Sequence, residues 1–195
     1  MTKLEAVNEI LAAIGEDPVN SLDEGLPDAD RARQTLDRVL TRTLTRGWWF
    51  NQYEEYDLQP DSEDQIHVPG DFLRFIPSGK DQGKRIIQRS GKLYDMEEQS
   101  HTFTDKVTVH ATTAPEWEDL PQVFKDYVTV KAARHFQDDQ LGSQKHHQYN
   151  IQDEQHAHAM LMEVHIESEP ANMNRDSVSA LEITGRFSNP SKYIP

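Results

Sequence analysis

The sequence contains no cysteine among its 195 residues. This absence excludes disulfide bridges, cysteine-based zinc sites and thiol catalysis. No segment approaches the roughly 18 consecutive apolar residues that a membrane span needs. Residues 1–9 carry charges where a secretory signal would have an apolar run. We therefore expect a protein made in the cytoplasm, with no membrane partner.

Hydrophobic residues are also scarce, at 35% of the chain, while 28% of it is charged. This balance is lean for a globular monomer but lies above the range of disordered chains. Two interpretations stay open. Part of the stability comes from neighbouring subunits in an assembly, or the fold is thin and has long polar loops.

Basic residues are few, with 20 Lys and Arg against 34 Asp and Glu and a formal net charge of −14. No basic run is longer than Lys84-Arg85, and attractive binding to nucleic acid needs clustered cations. Sequence-specific DNA binding is therefore disfavoured. An acidic surface fits a conduit through which DNA slides, and it also fits simple solubility.

One predicted helix, from about Pro27 to Gly47, is basic in this acidic chain. It contacts an acidic partner, or it forms a solvated face with local partners such as Asp37. A DNA-packaging or regulatory module would have to use this helix. Its arginines are Arg31, Arg33, Arg38, Arg42 and Arg46.

Catalytic motifs are missing as well. The sequence has no Gly-x-Ser-x-Gly, no His-Glu-x-x-His, no Walker pattern and no Gly-x-Gly-x-x-Gly. We therefore predict that the protein is not an enzyme and has no catalytic, cofactor-binding or metal-binding residues.

Histidines are the first alternative to that prediction. Two ligands on one helix usually stand three or four residues apart, and no two histidines of the last predicted helix do. Glu154 and His158, like His135 and Asp139, do have this spacing, which is typical of surface ion pairs. The histidines in or beside that helix are His146, His147, His156, His158 and His165.

Carboxylates around Trp117 are the second alternative. Glycoside hydrolysis uses two carboxyl groups flanking a sugar, and a tryptophan can be the sugar platform. A glycan hydrolase would use Glu116, Glu118 or Asp119 in this way. The simpler interpretation is an acidic first turn that complements the dipole of the following helix.

Helical periodicity and capping signals occur towards both ends of the chain. Thr2 and Glu5 form a capping box, apolar residues follow at helical spacing to Ile14, and Gly15 ends this helix. A third helix leads from Pro121 to the break at Leu141-Gly142, with Phe124, Tyr127, Val128, Lys131, Ala132, His135 and Phe136 on its inner face. A fourth runs from about Ser143 to Glu167, with Ile151, His158, Leu161, Met162, His165 and Ile166 on one side.

The middle of the chain has strand and turn signals. We predict a strand from Trp48 to Leu58, a helical turn or short strand over residues 71–76, a hairpin that turns around Ser90-Gly91, and a strand over residues 106–111. The aromatic cluster at the start of this region is interpreted as a core seam between helices and sheet rather than a ligand platform. It comprises Trp48, Trp49, Phe50, Tyr53 and Tyr56.

The predicted fold class is α+β, a helical bundle from both chain ends with a small antiparallel β region inserted. Residues 1–47 and 114–168 form the helical domain, and residues 48–113 form the β-rich insert. Residues 169–195 are a terminal arm that orders on a partner, or else a disordered tail.

Three segments of the chain resemble tail tubular protein A, the adaptor or gatekeeper family of short-tailed podovirus phages. They are residues 4–19, which end in the Ile-Gly-Glu-Asp-Pro-Val turn, residues 45–51, which contain the step Arg-Gly-Trp-Trp-Phe-Asn, and residues 120–121 together with 127–136. The resemblance covers most of residues 1–165 and is weak over residues 57–105 and the last 25 residues.

The resemblance implies a structural virion protein. It would form a ring, a dodecamer in this family, that joins the portal to the nozzle protein, tail tubular protein B, and offers docking sites for tail fibres. DNA would pass through its channel during ejection without specific binding.

Overall fold

The computed structural model describes residues 1–141 and 144–168, and the side chains of residues 1–140 and 152–168. Two helices come first, five short strands follow, and two helices close the described chain, so the predicted α+β class is confirmed. The helices are α1 (Lys3–Ala12), α2 (Pro27–Leu44), α3 (Gln122–Leu141) and α4 (Gln144–Ser168), and the strands are β1 (Gln52–Leu58), β2 (Phe72–Pro77), β3 (Ile86–Arg89), β4 (Lys92–Asp95) and β5 (Val107–Thr113).

Local signals in the sequence define both ends of α1. The hydroxyl of Thr2 accepts a hydrogen bond from the Glu5 N–H, and the Glu5 carboxylate accepts one from the Thr2 N–H, so the predicted capping box is confirmed. At the other end Gly15 has a φ of +84°. The Glu16 N–H donates to the Leu11 carbonyl and the Gly15 N–H to the Ala12 carbonyl, which is a Schellman motif.

The four helices share one hydrophobic core, in which α3 contacts each of the other three. From α3, Phe124, Val128 and Ala132 are fully buried, and Phe136 is nearly so. Helix α4 adds Leu161, which has no exposed surface. Burying each such side chain stabilises the fold by about 1.5–3 kcal/mol. The predicted inner face of α3 is therefore largely confirmed.

The strands form a three-stranded antiparallel sheet of order β1-β5-β2 and a separate β3–β4 hairpin. Ser90 and Gly91, with φ values of +54° and +76°, form the two-residue turn of the hairpin. A second hydrophobic cluster lies in this region, comprising Leu58, Ile66, Val68, Ile86, Leu93, Val107, Val109 and Ala111.

Two predictions from the sequence are wrong here. The aromatic residues 48–50 lie in a turn, and β1 begins only at Gln52, because Gly47 has a φ of +84° and Asn51 closes the turn. On α4, Ile166 is 69% exposed and does not share the inner face of Leu161. Gly142, Ser143 and the side chain of Ile151 lie outside the described residues, as does the predicted arm over residues 169–195.

Candidate functional site: the helix–sheet junction and the charged surfaces

The turn between α2 and β1 joins the helical core to the sheet. Gly47 ends the helix with its N–H bonded to the Leu44 carbonyl. Trp48 then inserts its ring into the helical core, where it is 2% exposed, and its indole Nε1 donates to the Thr43 carbonyl at 2.8 Å. The chain can turn this sharply because glycine adopts a positive φ without steric cost.

Asn51 closes the same turn and is completely buried. Its Oδ1 accepts a hydrogen bond from the Trp48 N–H at 2.7 Å. Its Nδ2 donates to the Leu44 carbonyl at 3.1 Å and to the Thr113 carbonyl at 2.7 Å. One side chain therefore ties the end of α2, the turn and the end of β5 together. This is the physical role of the Asn in the Arg-Gly-Trp-Trp-Phe-Asn step.

The aromatic cluster behind this turn is internal. Phe124 of α3 meets Trp48 edge-on at 5.7 Å between ring centroids and Phe50 at 4.9 Å. His165 of α4 lies 5.3 Å from Trp48 and 5.8 Å from Trp49. Trp48, Trp49 and Phe50 therefore pack against the helical core, and the core part of the prediction is confirmed for them.

The tyrosines that follow lie outside this seam. Tyr53 and Tyr56 on β1 are 48% and 36% exposed. Their rings are 5.8 Å apart, and Phe72 of β2 lies 5.3 Å from Tyr56. The prediction that the whole cluster forms a core seam is wrong for these two side chains, because no element among the described residues covers the outer surface of β1.

The histidines are separated by the fold. His158 packs against Tyr127, His165 against the two tryptophans, and His156 is exposed. Burial, together with the charge of Arg134, lowers the pKa of His135. Among the described residues no group of three or more His, Asp or Glu is arranged to hold a metal ion. His146 and His147 have side chains outside the described residues.

The expected ion pairs within single helices are replaced by pairs between helices. Glu154 of α4 contacts the Arg134 guanidinium of α3, which also contacts Asp138 at 3.2 Å. Asp139 lies 3.6 Å from Arg38 of α2. The predicted Glu154–His158 and His135–Asp139 pairs are therefore wrong. In the folded chain the carboxylates of Glu154 and Asp139 each lie closer to an arginine of another helix.

An open cleft of about 340 Å³ lies beside these ion pairs, lined by Tyr127, Arg134, Glu154, Gln155 and His158. The guanidinium of Arg134 is already held by the carboxylates of Glu154 and Asp138. The charged groups of this cleft therefore bind each other and fasten α4 to α3.

The environment of Trp117 does not favour sugar binding. Trp117 is 4% exposed, and its indole Nε1 donates to the Met1 carbonyl at 3.2 Å, so its ring faces are not available to a saccharide. Glu116, Glu118 and Asp119 are exposed around a separate 3₁₀ turn, Trp117–Asp119. They do not form the first turn of α3, which begins at Gln122, so that part of the prediction is wrong.

Asp81 is a buried charge that no sequence pattern singled out. Burial by itself raises the pKa of Asp81, but hydrogen bonds from Lys84 Nζ at 2.7 Å and from the Thr108 N–H at 2.9 Å outweigh it. The pKa of Asp81 therefore lies below its ordinary value. This carboxylate fastens the turn Gly79–Asp81 to the centre of the sheet.

The described polar clusters thus bind one another and hold the fold together. No helix in the described ranges is long and apolar enough to cross a membrane.

Comparison with known sequences identifies the family of this chain. The model of the family described as tail tubular protein matches residues 4–171, and the chain therefore belongs to the tail tubular protein family. It is 28% identical over 169 residues to tail tubular protein A of Klebsiella phage KP34, a match that covers 87% of this chain and 89% of that protein. The chain is a structural protein of a phage tail.

Proposed function

We propose that this chain is the subunit of an adaptor ring, a dodecamer, that joins the portal to the tail nozzle and forms part of the DNA ejection channel. The observation that carries the proposal is the match to tail tubular protein A over 87% of the chain. The likeness extends through both helical segments and the β region between them.

Exposed apolar side chains support an assembly role. Large apolar residues stand half-exposed at several places on the described surface, and a ring subunit buries such groups against its neighbours. They occur both on helices and on strands, which fits a subunit with more than one partner. They are Leu26, Tyr53, Tyr56, Ile76, Ile87, Met160 and Ile166.

The charge of the chain supports a channel role. At a formal net charge of −14, the surface repels the phosphates of a passing duplex. A conduit that does not bind DNA lets it slide. This protein would therefore act mechanically, by setting the symmetry and diameter of the channel.

The two hydrophobic clusters support a division of the chain into a helical unit and a β-rich unit. We propose that residues 1–47 with 114–168 form one unit, residues 48–113 a second, and residues 169–195 an arm that orders on a partner. The partners are other copies of this chain, the portal protein, the nozzle protein and tail fibres.

The test is the mass of the purified protein by light scattering, alone and after mixing with its portal. The proposal predicts a complex containing a ring of this 22.5-kDa chain bound to the portal. A portal from an unrelated phage is the control and should leave the mass unchanged. A persistent monomer that ignores its own portal would refute the adaptor role.

A further inference from the structure

The exposed face of α2 carries a stripe of three arginines, Arg31, Arg38 and Arg42. At 100° per residue their positions fall within about 40° of one another around the helix axis, and they span about 16 Å along it. We call these three residues the arginine stripe. Helix α2 is the one described helix with more basic than acidic residues.

The charges of the stripe are only weakly engaged within the chain. Arg31 lies 3.5 Å from Asp28 and Arg38 lies 3.6 Å from Asp139, and the two arginine side chains are 61% and 49% exposed. Arg42 forms no ion pair with any side chain in the described ranges. Exposed pairs of this kind contribute about 0–1 kcal/mol, so the guanidinium groups can exchange partners at little cost.

A complementary surface lies on β1, which is an edge strand of the sheet. Residues 53–57 are all exposed, although the strand contains only seven residues. They present the carboxylates of Glu54 and Glu55 and the exposed rings of Tyr53 and Tyr56. The Asp57 carboxylate is already paired with Lys106 and accepts a hydrogen bond from the Thr108 hydroxyl. At about 3.4 Å per residue this acidic surface is about 14 Å long, which is close to the length of the stripe.

Guanidinium groups pair with carboxylates and stack on tyrosine rings. The β1 surface offers both groups side by side. Two copies of a chain with a net charge of −14 also repel each other, so a stable contact between them has to bring opposite charges together. The stripe and the β1 surface meet this requirement.

We propose that the arginine stripe of one copy binds the β1 surface of the next copy. The inference rests on the proposed ring. Because the two surfaces differ, the contact is head-to-tail, which is the geometry that closes into a ring when the rotation between copies allows it. Duplex DNA is the poorer partner, since three arginines flanked by Asp28, Asp37 and Asp139 fall short of a phosphate-binding patch.

The test uses charge reversal on each side, in the condition where the wild type forms its ring. Arg42→Glu damages the stripe and Glu55→Arg damages the β1 surface. Each variant should need at least a tenfold higher protein concentration for half-maximal assembly, measured by light scattering. The controls are Arg85→Glu and Glu97→Arg, which reverse exposed charges away from both surfaces and should assemble like the wild type.

Mixing distinguishes this contact from general damage. At a concentration where each single variant is monomeric, an equimolar mixture can bring each unchanged surface to an unchanged one and each reversed surface to a reversed one. Every contact then pairs opposite charges, so the mixture should recover a ring in which the two variants alternate. The variant carrying both reversals should recover the ring. Circular dichroism confirms that each variant is folded.

The outcomes separate the two proposals. A wild-type ring together with unimpaired variants, or with no rescue by the double reversal, overturns this interface and leaves the adaptor role standing. A wild type that never forms a ring overturns both. A wild-type gel shift with DNA that Arg42→Glu abolishes would assign the stripe to nucleic acid and overturn the interface.

Discussion

Replacing Asn51 by aspartate should strongly destabilise the fold, although the two side chains have nearly the same shape. The change removes the two N–H donors that reach the Leu44 and Thr113 carbonyls. It keeps the acceptor for the Trp48 N–H. The site is fully buried, so solvent cannot replace the lost bonds.

The magnitude follows from these contacts. Leu44 keeps a second donor to its carbonyl, the Gly47 N–H, so the loss there is about 1 kcal/mol. The bond to the Thr113 carbonyl is shorter, and its loss in a buried site costs about 1–3 kcal/mol. An ionised carboxylate facing two carbonyl oxygens adds further cost. We expect a total near 4 kcal/mol, a large part of the roughly 5–15 kcal/mol that holds a domain folded.

The assay is urea unfolding followed by circular dichroism at a fixed protein concentration. Asn20→Asp is the matched control, because Asn20 is exposed and the same change there should stay within about 0.5 kcal/mol. The introduced carboxyl at position 51 should have a raised pKa in the fold. Its effect should therefore shrink at acidic pH, where protonation restores a donor. A loss below about 1 kcal/mol at pH 7 would refute the role assigned to Asn51.

Three further predictions follow from single sites. Asp81→Asn should lower the free energy of unfolding, measured by urea titration, by roughly 2 kcal/mol at pH 7. Because the pKa of Asp81 is lowered in the fold, this difference should shrink as the pH falls through that pKa. A pH-independent difference would contradict the ion pair with Lys84. The NMR titration of His135 should give a pKa below the ordinary histidine value, so protonation of His135 disfavours the fold. His135→Gln should therefore weaken the loss of stability between pH 7 and 5. A normal or raised pKa would contradict the partial burial of the His135 side chain. Gly47→Ala should lower the melting temperature more than Gly25→Ala. Both glycines have a positive φ, but only at Gly47 would an added Cβ meet a neighbour, Gln52 Nε2 at 1.9 Å. Equal shifts would show that the Gln52 side chain moves aside freely.

The features that could be predicted from the sequence depend on neighbours along the chain. The capping box at Thr2, the glycine end of α1 and the hairpin turn at Ser90-Gly91 each involve residues within about five positions. Such local rules decide where an element begins and ends whatever the rest of the fold does. They were sufficient for the order of the helices and for the hairpin.

The features that were missed depend on contacts distant in sequence. In the sequence, Asn51 is only the last residue of the Arg-Gly-Trp-Trp-Phe-Asn step, but its role depends on a hydrogen bond to Thr113, 62 residues away. Asp81 acquires its role from Thr108, 27 residues away. Arg134 pairs with Glu154 across two helices, although spacing favoured a pair within α4. The absence of catalytic and metal-binding residues stays a prediction.

The proposed adaptor role requires this tail protein to assemble into a closed ring. Electron microscopy of the protein bound to its portal tests this most directly, since averaged end-on views reveal both symmetry and channel. The images should show a closed ring of identical subunits around an open channel that is wide enough for double-stranded DNA and coaxial with the portal. Single copies scattered on the portal, or an assembly without a central channel, would contradict the adaptor role.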